Sequence, residues 1–216
     1  MRVLGIDPSL SAYGWAIHDT KAPVGTPDRC LSRGRVSTPA NMEFVLRYMT
    51  MRDSLRTLIQ REKPDKIGIE HPVFSALYSE GMYGLFLYSC EALRTEGCDV
   101  VFWSPLQVKA HARETLDRPQ SWVMDKVDMV EAAKKDAGGK TWNHNEADAY
   151  LVARLAGRFW HLHADLLTED ALTPTERKYF TEIKQFSRGK KAGQEERRGV
   201  IYREDDRFFL WSNVKP

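Results

Sequence analysis

Residues 2–9 read RVLGIDPS, a short apolar run closed by an acid and a Pro-Ser pair. That is the pattern of a buried strand ending in a turn, and it delivers the carboxylate of Asp7 at the strand's carboxyl end. Working outward, residues 13–18 (YGWAIH) form a second apolar stretch. The Pro-Ser-Leu-Ser-Ala between them is a turn, so the two stretches are expected to pair as a hairpin. Residues 29–37 (CLSRGRVST) add a third strand after the Pro- and Gly-containing loop from Pro23 to Pro27.

From Asn41 the period changes. Phe44, Tyr48, Met51, Leu55 and Leu58 recur at four- and three-residue steps, one face of a helix that ends near Glu62 and is stopped by Pro64. Residues 66–70 (KIGIE) are the next strand. Because a helix separates it from the first, it is expected to lie parallel to that strand, with Glu70 beside Asp7. Further helices are expected over residues 78–97, 105–115, 122–136 and 146–160, with a fifth strand over 99–103 (DVVFW). Val123, Val127 and Val130 supply an apolar seam for the helix over 122–136. Ala147, Leu151 and Leu155 do so for the last one. The fold class is α/β, a five-stranded mixed sheet flanked by helices.

The chain has 216 residues, 42% of them hydrophobic, enough for one core with an appendage. Residues 1–163 are expected as the main domain and 164–216 as an extension. Within the extension, Lys184 to Arg198 carries six basic residues against Glu195 and Glu196, with Gly189 and Gly193 breaking any period, and reads as a loop suited to phosphate. Residues 200–211 read as a hairpin turning at Glu204-Asp205-Asp206. A formal charge of +2 excludes global basicity, so any nucleic-acid surface must be local. Cys30, Cys90 and Cys98 include no CxxC pair, which argues against a disulfide framework or zinc knuckle. The longest apolar run, Tyr83 to Cys90, is too short for a bilayer. The chain is expected to be soluble and cytoplasmic, without a membrane partner.

Asp7, Glu70 and Asp148 each have an ordinary explanation taken singly. Asp7 can form a turn, Glu70 can end a strand near a proline, and Asp148 can interact with a helix dipole for about 0.3–1 kcal/mol. Jointly they read differently. Two parallel strand ends and a helix start converge, and three carboxylates so placed repel and raise one another's pKa unless a cation neutralises them. Oxygen ligands suit Mg²⁺ or Mn²⁺. Two such ions about 4 Å apart activate a water and stabilise a leaving oxygen, which is the chemistry of phosphodiester hydrolysis.

The stretch Gly5-Ile6-Asp7-Pro8-Ser9, followed by Gly14-Trp15-Ala16, resembles the opening motif of the RuvC-family Holliday junction resolvases, which read GIDPG and then TGxx. Ile69-Glu70 with Phe74 resembles their second motif, and Gln107-Val108-Lys109 a basic QVK segment. Glu146-Ala147-Asp148-Ala149 is similar to their closing helix start. These matches run in family order over residues 1–160 and leave the tail uncovered. The resemblance implies a ribonuclease-H-like fold, and a metal-dependent crossover junction endonuclease serving DNA recombination and repair, in a bacterium or a phage. It implies Asp7, Glu70 and Asp148 as ligands of two Mg²⁺ or Mn²⁺ ions, and Lys109 on the scissile phosphate. Lys109, Arg113 and Lys126 would contact DNA, and Phe74 or Tyr78 would stack on an unpaired base at the crossover, a contact worth about 1–3 kcal/mol. Products with 5′-phosphate and 3′-hydroxyl ends are implied, as is a homodimer on branched DNA with no nucleotide cofactor. Helix 78–97, with Leu85, Phe86 and Leu93, is its candidate interface.

Three places depart from the pattern. Asn145 stands where the family usually has Asp or sometimes His, one helical turn before Asp148, so its amide oxygen can offer a weaker, uncharged ligand. Ser9 and Tyr13 replace Gly and Thr, and His71-Pro72 sets Phe74 one residue late. Asn145 keeps a second reading open, a junction-binding protein with weak or no cleavage. A nuclease of the same fold acting on hybrids or other branched substrates is a third. An actin-like ATPase would need a second phosphate motif and lobe, which 216 residues do not show. His111, His161 and His163 are set aside as metal ligands, because His161 and His163 at i, i+2 share no helix face.

Overall fold

The computed structural model describes residues 1–10, 12–72, 80–139, 141–180, 183–185, 195–197, 200–205 and 207–211. Strands β1 (Arg2–Asp7), β2 (Ala12–Asp19) and β3 (Cys30–Ser37) form the expected antiparallel meander. Helix α1 (Phe44–Glu62) ends where Lys63 turns left-handed before Pro64, and β4 (Lys66–Glu70) then runs parallel to β1. Helix α2 (Glu80–Thr95) leads to β5 (Val100–Trp103), parallel to β4.

Period-two alternation assigns the side chains of β1 to two layers. Leu4 and Ile6 face α1 and α2, together with Ile17, Ile67 and Ile69. Val3 faces the other layer, built from α3 (Pro105–Thr115), α4 (Lys126–Ala137), α5 (His144–His163) and α6 (Pro174–Phe180). In that layer α5 lies on the sheet backbone itself. A Cβ on Gly5 would stand 1.9 Å from the Ala149 carbonyl oxygen, and one on Gly14 would stand 2.2 Å from that of Asn145. Only glycine permits such an approach. Behind α5, fully buried Asp136 accepts from Arg29 Nε at 2.7 Å and from the Tyr150 hydroxyl at 2.5 Å, and Arg154 Nε lies 2.9 Å from its second oxygen. These charge-assisted contacts tie α4, α5 and the meander together.

The sheet has seven strands where five were expected, in the order β3-β2-β1-β4-β5-β8-β9. The added pair is the hairpin of β8 (Val200–Glu204) and β9 (Arg207–Trp211), with β8 antiparallel to β5. The apolar strand VVFW would otherwise be an open edge, and Val200 and Tyr202 bury against the core as they cover it. The extension is therefore continuous with the expected main domain. Phe180 of α6 is fully buried, 5.6 Å from Trp103 and 6.0 Å from Phe159 between ring centres. The basic stretch expected as a loop pairs at its ends, β6 (Ile183–Gln185) with β7 (Glu195–Arg197), and most of the remainder lies outside the described residues.

Two further expectations are corrected. Asp125 caps α4 with a reciprocal Asp128 contact, so the helix starts at Lys126 and its seam is Met129, Ala132, Ala133 and Ala137. Val123 and Val127 are 87% and 73% exposed, leaving only Val130 partly packed. On α2, Leu85 and Leu93 are core residues and so unavailable to a partner, while Leu87 is 64% exposed. Helix α5 starts two residues early, at His144, capped by Asn143. Its expected seam of Ala147, Leu151 and Leu155 is buried.

Candidate active site

Ile6 pairs with Ile69 across the parallel β1–β4 ladder, so the next residues, Asp7 and Glu70, leave the sheet side by side. The small-residue contact of α5 with β1 and β2 brings Asp148, one turn into that helix, over the same strand ends. Asp7, Glu70, Asp148, Asn145 and Lys126 line one cavity of about 290 Å³, with His71, Met82 and Pro105 on its walls.

Asp7, Glu70 and Asp148 are each partly buried and keep some surface at the mouth of the cavity. Burial first, and the charge of Asp148 second, push Asp7 up to about 7 against the opposing pull of Lys126. Burial pushes Asp148 up to about 6, with Lys109 and Lys126 opposing. Glu70 is raised well above the usual carboxylate range by burial and then by Asp7 and Asp148, while Lys109 draws it down. The Oδ1 atom of Asp148 is buried without a hydrogen-bond partner among the described residues. Such a set of mutually repelling, incompletely bonded oxygens fits a divalent cation. Among the described residues no three acids, histidines or cysteines already close into a metal-holding cage.

Asn145 is tied at both ends. Its backbone N–H donates to Asn143 Oδ1 and its side-chain nitrogen to the Ala12 carbonyl, each at 3.0 Å. Only its amide oxygen is left for a cation. Lys109 is exposed on α3 and acts on Glu70 and Asp148 through its charge. Neither Lys109 nor Lys126 pairs with a carboxylate at ion-pair distance among the described residues. Arg113 goes elsewhere, to a cleft between α3 and α6, where Nη1 donates to the Trp122 carbonyl at 3.4 Å. Phe74 and Tyr78 lie outside the described residues. His111 is buried, lowered well below its usual pKa by burial and then by Arg154, and 2.9 Å from Arg154 Nη1, a core histidine. His163 sits 3.5 Å from Glu204, away from the pocket. Sequence reasoning missed His71, Met82 and Pro105 as pocket walls. The Asp125-x-x-Asp128 cap that places Lys126 at the rim was a readable signal left unused.

No family model matches the chain. Among curated proteins, the crossover junction endodeoxyribonuclease RuvC of Thermomicrobium roseum is 35% identical over 114 residues, spanning 50% of this chain and 66% of that protein, just under two thirds. RuvC of Caldicellulosiruptor saccharolyticus is 26% identical over 162 residues, 71% of this chain and 90% of the relative. Over the matched residues the chain is similar to these RuvC proteins. A solved Thermus thermophilus RuvC shares the RuvC fold with it at a TM-score of 0.61 and 17% identity, over 76% of this chain and 97% of the other. A second T. thermophilus RuvC structure, in complex with a Holliday junction substrate, aligns at 0.59, with 17% identity over 75% and 96%. At that identity the likeness carries the fold, which is the α/β architecture expected from the sequence.

Proposed function

We propose that this chain resolves four-way DNA junctions by paired, divalent-metal-dependent hydrolysis of phosphodiester bonds. The observation that carries the reading is the convergence of Asp7, Glu70 and Asp148 in one pocket, each held above its ordinary pKa by burial. Mg²⁺ or Mn²⁺ would be held by these three carboxylates and the Asn145 amide oxygen, two ions to a site. When bound it would neutralise their charge, acidify a water and polarise phosphoryl oxygens. The chain's own residues do the rest. Lys109 and Lys126 receive the phosphate, and Lys126 adds the positive end of α4 to its own charge. Asn145, anchored on β2, fixes the distance between the α5 start and the strand ends. Below pH about 7 Asp7 retains a proton and competes with the cation, so cutting falls as the medium is acidified.

Two symmetric nicks call for two sites related by a two-fold axis, so the working form is a homodimer. The exposed Leu87 side of α2 supports that pairing in place of Leu85 and Leu93. The test is cleavage of a labelled synthetic four-way junction in Mg²⁺ or Mn²⁺, beside an RNA–DNA hybrid of the same sequence. Paired nicks with 5′-phosphate ends, abolished by Asp7→Asn, are expected. Cutting of the hybrid alone would sink the resolvase reading. Tight binding without cutting, reversed by Asn145→Asp, would identify a junction binder instead.

A further inference from the structure

We propose that the cleft between α3 and α6 is a second DNA site, which holds the phosphodiester backbone of a duplex arm leaving the cut. The inference rests on the nuclease reading above and extends it to a part of the chain outside the residues that carry the RuvC motifs. The cleft, about 520 Å³, is lined by Arg113 near the end of α3, by Arg118 in the turn that follows it, and by Lys178 and Tyr179 from α6.

Of its two acids, one is paired with a cation and the other is hydrogen-bonded to neutral groups. Glu114 accepts from the Thr173 hydroxyl at 2.5 Å and from the Thr175 backbone N–H at 3.3 Å, and Asp117 pairs with Lys135 at 2.6 Å. Arg118 is shared with Glu131 at 3.6 Å and lies over the Trp122 ring. Arg113 and Lys178 make no ion pair with a carboxylate among the described residues. Arg113 and Lys178 outweigh the remaining charge of Glu114 and leave the cleft one positive charge in excess, which suits a polyanion.

Placement gives that charge a direction. Lys109 and Arg113 are about one turn apart on α3, about 6 Å along its axis, so unpaired cations run from beside the carboxylate pocket along the helix into the cleft. The far wall is fixed. Arg158 binds Glu176 through Nε and Nη2, both at 2.8 Å, and Glu176 also accepts from the Thr173 backbone N–H at 3.0 Å. With the Glu114 contacts, these clamp α6 to α3 and α5, so Lys178 stands on a rigid element. Cations held on fixed elements, with contacts that need not read bases, suit phosphate binding.

The experiment measures binding of the full chain to four-way junctions in Ca²⁺ across a salt series, with long arms and with arms trimmed to a few base pairs. Arg113→Glu and Lys178→Glu are expected to weaken long-arm binding by roughly tenfold each. Together they should flatten the slope of log Kd against log salt by about 2, as for two lost phosphate contacts. With trimmed arms the difference from wild type should vanish. Arg113→Gln and Lys178→Gln, which add no repulsion, repeat the slope measurement should a charge reversal impair folding. Variants with wild-type slope on long arms, alongside Asp7→Asn that binds but does not cut, would remove the cleft from the DNA path and leave the nuclease reading standing. An equal loss on trimmed arms would place the contact at the crossover and overturn the arm assignment. Wild type that neither binds nor cuts branched DNA would end both.

Discussion

On the face covered by α1 and α2, the sheet offers Leu4, Ile6, Ile17, Ile67 and Ile69, and the helices answer with Met51, Leu55, Leu58, Leu85 and Leu93. On the opposite face Gly5, Gly14 and Gly68 meet the backbone and alanines of α5, and Asp136 gathers Arg29, Arg154 and Tyr150. The first face buries large aliphatic surface, which contributes stability roughly in proportion to area and is indifferent to small shifts. The second face also buries large side chains, Trp103, Phe159, Trp160 and Phe180 among them, but at its three glycines it fixes a distance, and Asp148 inherits that distance. Both sides of the sheet thus contribute stability, while catalytic geometry is carried by the α5 side alone.

Gly5→Val should show the largest effect, because a side chain there begins 1.9 Å from a backbone oxygen that cannot retreat without moving α5. Loss of more than about 4 kcal/mol, or failure to fold, is expected in denaturant titration, and any folded fraction should not cut. Leu55→Ala, on the other face, should cost about 2–5 kcal/mol yet leave cutting by the folded protein intact. If it instead lowers the cleavage rate under conditions where circular dichroism shows full folding, the division between faces fails.

Asp7→Asn separates the two roles within a single residue. The folded-state pKa of Asp7 is raised from 3.8 to about 7, so its ionisation opposes folding. The relative stability is full below about pH 4 and is lost as pH rises through about 7. Without metal, the Tm of the native chain should therefore fall between those values, and Mg²⁺ at pH 8 should restore it. Asp7→Asn should abolish cutting and raise the metal-free Tm at pH 8, by on the order of 2 kcal/mol or about 4–8 °C. A Tm unaffected by pH, metal and the substitution would show that the carboxylates do not oppose one another. Asn145→Asp is the mildest change. It gives up the bond to Ala12 for about 1 kcal/mol of stability, and calorimetry should show tighter Mn²⁺ binding in return.

The strand-borne half of the site was legible because alternation and a parallel crossover are local rules, and they put Asp7 and Glu70 side by side without further information. Asp148 was legible through its helix start. What escaped depended on contacts distant in sequence. The tie from Asn145 to Ala12 exists only because Gly14 lets α5 touch β2. Arg113 shares a helix stripe with Lys109, yet α6 arrives beside it from the extension and gives it a different neighbourhood. The α4 seam was misread for a local reason: three valines spaced by four and three imitate a helical face, whereas the Asp125 cap starts the helix after the first of them.

The hairpin that closes the sheet also sets an order of events. Val101 pairs with Tyr202, a separation of about a hundred residues, so β5 has no neighbour on its outer side until residues 200–204 have been synthesised. Pairings of such long range form late and slowly. During that interval Val100–Trp103 is a bare apolar strand, and the emerging chain is most prone to joining another copy at that edge. A ribosome stalled before residue 200 would release a protein whose carboxylate motifs are complete and whose solubility is not.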